Sequence, residues 1–276
     1  MIQPEALLQQ YFGHKAFRAG QKQAIDAVLS GRDVLAVMPT GAGKSVCYQI
    51  SALLLPGVTI VISPLISLMK DQVEALRQVG IPAAYINSSI SQEEFYHSMQ
   101  MLQQGQCRIL YVAPERLMTE SLLRLAQRVQ ISMIAVDEAH CVSQWGQDFR
   151  QSYLDIPVFM EQLPVRPVCT AFTATATKQV EADIARILKL RDPETIHTGF
   201  DRKNLFFGVR RPNSKMTELF HLLKENDGKS GIVYCSTRKA VEEVCASLCD
   251  TGFDATRYHA GLSDVERAQN QDDFLY

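Results

Sequence analysis

A lysine set among small residues stands between an apolar run and an amphipathic one, in Pro39-Thr40-Gly41-Ala42-Gly43-Lys44-Ser45. Gly41 and Gly43 let backbone N–H groups come close to an anion, and a helix opening there adds the positive end of its dipole. Lys44 has the reach to meet terminal phosphate oxygens, and Ser45 offers a hydroxyl to a magnesium ion. Thr40 and Ala42 complete the loop. The spacing departs from the strict phosphate-loop pattern at Met38, where a first glycine is usual. On these residues alone, a glycine-rich turn with an unrelated lysine is the competing reading.

Further along, Ile134-Ala135-Val136 runs into Asp137-Glu138-Ala139-His140. Acids at the carboxyl end of a buried strand lie where open α/β sheets bind ligands. Strand side chains alternate, so the two carboxylates point in different directions and suit two tasks. Asp137 is the candidate magnesium ligand. Glu138 is the candidate general base that polarises an attacking water. Taken alone, a pair of exposed loop acids is the ordinary reading; the phosphate loop upstream tips it toward a site.

These groups need strands and helices to hold them. Short β-branched runs predict strands at Asp33–Met38, Val58–Ser63, Arg108–Val112, Ile131–Val136 and Val168–Phe172. Leu65, Leu68, Met69, Gln72, Val73, Leu76 and Val79 follow helical spacing until Gly80 and Pro82 end the run. A further helix begins after Thr177 with Val180, Ile184, Ile187 and Leu188 on one face. Alternating strands and helices argue for an α/β fold with a parallel sheet. A break is expected near Thr198–Asn204, followed by a second α/β unit. Its strands are expected at Leu205–Arg210, Gly231–Cys235 and Ala255–His259, and Ser263 with Glu266 reads as a capping box for a last helix. The expected domains are therefore 1–200 and 201–276. The second has about half the residues a full domain usually needs, so an incomplete unit is expected.

Composition narrows the classes. Of 276 residues, 46% are hydrophobic and 21% charged, as in ordinary globular proteins. With 28 basic against 30 acidic residues, the chain is no basic coat protein, and any nucleic-acid contact must rest on a local surface. None of the seven cysteines pairs at C-x-x-C spacing; Cys245 and Cys249 share a helical face and read as small reduced side chains. The N-terminus lacks a signal-like segment and the apolar runs are too short to span a bilayer, so a cytoplasmic protein without membrane partners is expected.

Trp145, the single tryptophan, lies just after the carboxylate pair with Phe149, Arg150 and Tyr153. Gly146 and its polar neighbours argue for a loop. Two readings fit: exposed aromatics that stack on unpaired bases, or buried core.

The loop Met38–Ser45 and Asp137–His140 together resemble the superfamily 2 helicases. Further segments resemble the RecQ DNA helicases in particular: Phe12-Gly13 with Phe17-Arg18-Ala19-Gly20-Gln21, Ser63–Gln72, Ala113–Leu117, Thr173-Ala174-Thr175, Ile232–Ser236 and Tyr258–Leu262. Cys141-Val-Ser-Gln-Trp-Gly-Gln-Asp-Phe-Arg150 is the most family-specific of them. The resemblance covers nearly the whole chain. It implies a RecA-like P-loop domain followed by part of a second RecA-like domain, with ATP and magnesium as cofactors and DNA, single-stranded or at duplex junctions, as partner. It implies that Gln21 hydrogen-bonds adenine, that Arg18 lies near the nucleotide, and that His14 stands where an aromatic usually stacks on the base. Ala19 replaces a usual proline. By the same resemblance His140, Thr173 and Thr175 couple hydrolysis to movement, and Trp145, Phe149 and Arg150 sense DNA. Ser63, Lys70, Arg116, Ser236, Thr237, Arg238 and His259 are candidate phosphate contacts, each also readable as solvated surface. Single-strand-binding or repair proteins are conceivable partners that the residues do not specify.

The function this implies is ATP hydrolysis, stimulated by DNA, that drives three-prime to five-prime unwinding. The segment that bears the family's second-lobe arginine is not among these residues. A nucleotide- and DNA-binding fragment with little turnover is therefore the alternative, and a small-molecule P-loop kinase is the third.

Overall fold

The described residues of the computed structural model are 3–199 and 205–275. They fall into two compact units, Met1–Arg202 and Lys203–Tyr276. The break expected at Thr198–Asn204 falls largely on residues 200–204, outside the described ones.

The first unit is built on seven strands: β1 (Val34–Val37), β2 (Val58–Ile62), β3 (Ala83–Ile86), β4 (Ile109–Val112), β5 (Ile131–Val136), β6 (Val168–Thr173) and β7 (Glu194–His197). Their order is β3-β4-β2-β5-β6-β1-β7, and every neighbouring pair is parallel. The helices are α1 (Pro4–Phe12), α2 (Gln21–Leu29), α3 (Lys44–Leu54), α4 (Ile66–Gln78), α5 (Gln92–Gln103), α6 (Glu120–Ala126), α7 (Asp155–Glu161) and α8 (Lys178–Ile187). The α/β class and all five expected strands are present. The edge strands β3 and β7 are additional.

Alternation along the strands sorts the core into two layers. Met133 and Ala135 of β5 join Ala36, Val61, Tyr111 and Phe172 beneath α2, α3 and α4. Ile134 and Val136 join Leu35, Ile60, Leu110 and Ala171 beneath α5, α6, α7 and α8. A strand covered on both faces has no polar side to show, which is why these runs are continuously apolar. On α4 only Met69, Val73 and Leu76 are buried. Leu65, Leu68 and Val79 of the expected stripe are exposed, because one helix face wide enough for two layers meets only one. On α8 the expected face holds: Val180, Ile184 and Leu188 are buried, and Thr177 caps the helix by accepting from Val180 N.

At the amino end of the strands a buried carboxylate gathers three segments. Asp33 Oδ1 accepts from Arg166 Nη1 (3.1 Å) and Cys169 N (2.8 Å). Its Oδ2 accepts from Arg166 Nη2 (2.6 Å) and Arg191 N (2.7 Å). The ion pair thus closes β1 onto β6 and onto the turn before β7, away from the carboxyl edge.

The second unit contains α9 (Lys215–Glu225), α10 (Arg238–Asp250) and α11 (Asp264–Leu275). Among the described residues, the three segments expected to be strands, 205–210, 231–235 and 255–259, form no ladder. In the first unit β5 and β6 separate β2 from β1, so strands close in the chain need not be neighbours in the sheet. Phe206 and Tyr234 of these segments stand 94% and 91% exposed. Ser263 Oγ accepts from Glu266 N at 3.2 Å, but the Glu266 carboxylate turns to Arg257 (3.0 Å) instead of closing the expected box. A full capping box forms at Ser91 and Glu94 on α5, where none was expected.

The Asp33 hub gives a stability test. Asp33→Ala strips the partner from a part-buried arginine and orphans one buried and one part-buried N–H, so a loss of about 3–5 kcal/mol is expected. Thermal melting should fall by roughly 10 °C. An unshifted melting curve would mean that the carboxylate contributes little.

Candidate functional site

The loop 39–43 leaves β1 at Met38, which is buried and donates its N–H to Thr173 O at 2.9 Å. The strand pairing simply continues there, so no glycine is needed at that position. Gly41 and Gly43 do adopt left-handed backbone, at φ 81° and 80°, and Gly43 is the N-cap of α3. A side chain at Gly43 would also overlap the Gln21 amide. Lys44 and Ser45 thus open an eleven-residue helix whose free N–H groups face the loop.

Gln21 is 3% exposed, and both ends of its amide are occupied. Oε1 accepts from Arg18 N (2.8 Å), while Nε2 donates to Ala42 O (3.1 Å) and Gly43 O (3.0 Å). Arg18 donates through Nη1 to Gly41 O. Gln21, the expected adenine contact, and Arg18 thus hold the loop through its carbonyls. His14 lies exposed just past the Gly13 cap of α1.

Asp137 continues β5 by donating its N–H to Ile62 O at 2.8 Å. Tyr153 OH donates to Asp137 O at 2.9 Å from the other layer. Tyr153 is therefore fully buried and leaves the aromatic loop of the expectation. Burial, and secondarily the charge of Glu138, push the Asp137 carboxyl up to about 6, against the opposing pull of Lys44. Glu138 then turns out of the strand in left-handed backbone (φ 47°, ψ 46°). A hydrogen bond from His140, with Lys44 nearby, holds its carboxyl below the usual range despite burial.

His140 Nδ1 lies 3.3 Å from Glu138 Oε2 and 3.0 Å from Thr173 Oγ1. Thr173 Oγ1 donates to Thr175 O at 3.0 Å, so its lone pair faces the imidazole and Nδ1 carries the proton. One imidazole N–H is thus shared between the candidate base and the turn after β6.

Loop, carboxylates, Ser63 and the inner face of α4 enclose an open cleft of about 250 Å³. Its wall includes residues that sequence reasoning missed: Tyr48, Leu68, Met69, Gln72 and Tyr111. Gln49 Nε2 donates to both Gln72 Oε1 and Tyr111 Oη at 3.0 Å, which seals that wall. Tyr48 lies on α3, Leu68, Met69 and Gln72 on α4 and Tyr111 on β4, and only the assembled sheet and helices show that they border a cleft. No cluster of three or more His, Cys, Asp or Glu suited to a metal occurs among the described residues. A hydroxyl and one buried carboxylate suit a hard cation that keeps waters and phosphate oxygens as its other ligands.

The aromatic loop is exposed. Trp145 is 71% exposed and Phe149 also faces solvent, which decides against the buried-core reading. The backbone beneath is pinned. Trp145 N donates to Ser143 Oγ (3.1 Å), Ser143 Oγ donates to Asp183 (2.8 Å), and Arg150 N donates to Cys141 O (2.9 Å). Arg150 also donates to Asp148 Oδ2 (2.9 Å) and Pro64 O (3.0 Å), tying the loop to the start of α4. A side chain at Gly146 would overlap the His140 carbonyl, so the loop rests directly on the backbone of the site.

The other surface candidates divide. Lys70 is exposed on α4 beside Glu74, and Arg116 is half-buried in the turn after β4. Ser63, expected as a surface phosphate contact, is 2% exposed and lines the cleft. In the second unit Ser236 and Arg238 are exposed, and the Thr237 hydroxyl caps α10. His259 is mostly enclosed, with Nε2 2.8 Å from Glu242 and Nδ1 accepting from Gly261 N, so it is not a free phosphate ligand.

Residues 18–183 match the family model described as DEAD/DEAH box helicase. The chain is 46% identical over 272 residues to the ATP-dependent DNA helicase RecQ of Bacillus subtilis, covering 98% of this chain and 46% of the relative. It is 43% identical to the RecQ of Haemophilus influenzae, over 98% of this chain and 43% of that one. The chain therefore spans less than half the length of these relatives. Among solved structures, S. cerevisiae Dbp5 bound to RNA and ADP BeF3 matches with a TM-score of 0.70 at 21% identity, over 99% of this chain and 71% of that one. That is a likeness of fold.

The raised Asp137 carboxyl predicts a pH signature. With a folded value of about 6 against an ordinary 3.8, native Asp137 holds its proton more tightly than the unfolded chain does. The stability this brings is fully present below the ordinary value and lost as pH rises through the folded one. Without magnesium, Asp137→Asn should therefore melt on the order of 5 °C above the parent at neutral pH. The gain should vanish in acid. A gain that persists below the ordinary carboxylate range would show that the charge is not its cause.

Proposed function

The chain belongs to the DEAD/DEAH box helicase family, and from that premise we propose that it is the ATP-driven motor portion of a RecQ-type DNA helicase. The observation that carries this reading is the line of contacts from the phosphate loop to the exposed aromatic loop along one edge of the sheet. Lys44 and the N-terminus of α3 receive the β- and γ-phosphates of ATP. Ser45 and Asp137 would hold magnesium, which would neutralise charge on the β- and γ-phosphates. Glu138, ionised at neutral pH, takes the proton of the attacking water. The shared His140 N–H links that carboxylate to Thr173 and Thr175. Gly146 and the Arg150–Cys141 bond link it to Trp145 and Phe149, on which unpaired bases stack. Exposed Lys70 and Arg116 contribute phosphate contacts that fix register without reading sequence. Residues 201–276 are the N-terminal part of a second RecA-like domain, with Ser236 and Arg238 on its nucleic-acid side. His14 stacks on the base once Gln21 releases the loop carbonyls. The partner is DNA, as single strand or duplex junction, and the setting is cytoplasmic, in repair and recombination. In the complete protein the motor moves three-prime to five-prime.

A second reading is favoured by one observation. Among the described residues, Lys44 is the only cation lining the cleft. Phosphoryl transfer in related systems gains about 10³–10⁵ from an added arginine. On that reading this stretch alone binds nucleotide and DNA and turns over slowly.

Steady-state ATPase assays with and without single-stranded DNA test the proposal, alongside calorimetric binding of a non-hydrolysable analogue. Analogue binding with DNA-stimulated turnover supports the motor; binding without turnover supports the second reading; DNA-independent transfer to a small molecule defeats both. Glu138→Gln should keep analogue affinity and lose turnover by about 10²-fold or more. Trp145→Ala should keep the melting curve and the basal rate but lose most DNA stimulation. Intact stimulation in that variant would remove the aromatic loop from the mechanism.

A further inference from the structure

Three buried hydroxyls have no hydrogen-bond partner among the described residues: Thr59, Ser63 and Thr198. Of these only Ser63 lines the cleft that holds Lys44, Ser45, Asp137 and Glu138. Its position follows from register. Ile62 pairs with Val136, and Ser63 and Asp137 are the next residues on the two neighbouring strands. Parallel partners point to the same face, so the hydroxyl stands beside the Asp137 carboxylate on the side of α3.

The surrounding polar groups are already committed. Tyr111 and Gln72 are taken up by Gln49, and Asp137 Oδ1 accepts from Glu138 N at 3.0 Å. No described residue donates to Asp137 Oδ2. A buried hydroxyl is rarely left unpaired, and an open polar cleft has room for water that makes several bonds at once. Magnesium bound through one carboxylate keeps most of its waters, and those waters need protein acceptors and donors of their own.

We infer that Ser63 is a positioning residue for the cation: its hydroxyl engages, through water, the magnesium-bearing end of Asp137. The inference rests on the reading of the cleft as an ATP–magnesium site. It assigns the Ser63 hydroxyl to the cleft, whose lining it shares with Asp137, instead of to the DNA surface.

The test measures binding of a fluorescent non-hydrolysable ATP analogue by anisotropy while magnesium is titrated. Ser63→Ala should raise the magnesium concentration for half-maximal binding about 10-fold, the lower end of what outer-sphere partners contribute. Affinity for the analogue in EDTA should stay as in the parent, and Ser63→Thr, which restores a hydroxyl, should return the midpoint toward it. Melting curves recorded beside each titration identify any variant that is not folded; the Ala and Thr variants differ enough in size that one reports if the other fails. An unchanged midpoint in folded Ser63→Ala overturns the inference, as does an unchanged midpoint with weakened single-strand binding, which would return Ser63 to the DNA surface. A parent protein without magnesium-dependent analogue binding would instead overturn the reading of the cleft itself.

Discussion

The N–H of Asp137 donates to the Ile62 carbonyl, which carries the parallel pairing of β5 and β2 one residue past the last apolar side chain. That bond fixes which face the first carboxylate takes. It puts Asp137 over α3, beside the Lys44 helix end, where burial would be hard to tolerate without a cation nearby. It also forces the next residue to leave the sheet. Glu138 turns into left-handed backbone, and its carboxylate lands against His140 instead of beside its neighbour. Two adjacent acids thus acquire opposite shifts, one raised by burial and one lowered by a hydrogen bond. A single strand end thus gives two adjacent carboxylates different environments, as the roles proposed for them require.

Much of this was legible in the sequence because the site lies where local pattern and chain order coincide. The five inner strands are apolar runs covered on both faces, and such runs have few other uses. The edge strands were not legible for a physical reason. Ala83–Ile86 follows a proline and carries small residues, and Glu194–His197 is half polar, as one-sided edges are. The phosphate loop and Asp137–Glu138 could be named from residue type alone. Side-chain direction could not. Ser63 reads as a surface hydroxyl until the register of β2 turns it inward, and Tyr153 reads as part of an aromatic loop until its hydroxyl is found on the Asp137 carbonyl. The attachment of Gln21 to the loop carbonyls depends on contacts distant in sequence, which residue type alone does not show.

The second unit marks another limit. Its helices are held by local caps, with Ser214 on α9 and Thr237 on α10, although the sequence reading makes Thr237 a candidate phosphate contact. Its strands are a matter of neighbours, and apolar alternation cannot supply them. Arg257 and His259 lie instead among the carboxylates of Glu242 and Glu266, so that this segment is organised by charge where a ladder was expected.

The left-handed backbone at Glu138 has a consequence for how such a protein can change. Glutamate is a poor occupant of that region, which glycine and asparagine fill with less strain. The residue best suited to the backbone there is not the residue suited to taking a proton. Selection for stability alone would drive position 138 toward asparagine or glycine, and a lineage released from the need to turn over nucleotide would be free to follow. On the proposed role of Glu138 as the base, the carboxylate at that position is held against the conformational preference of the chain.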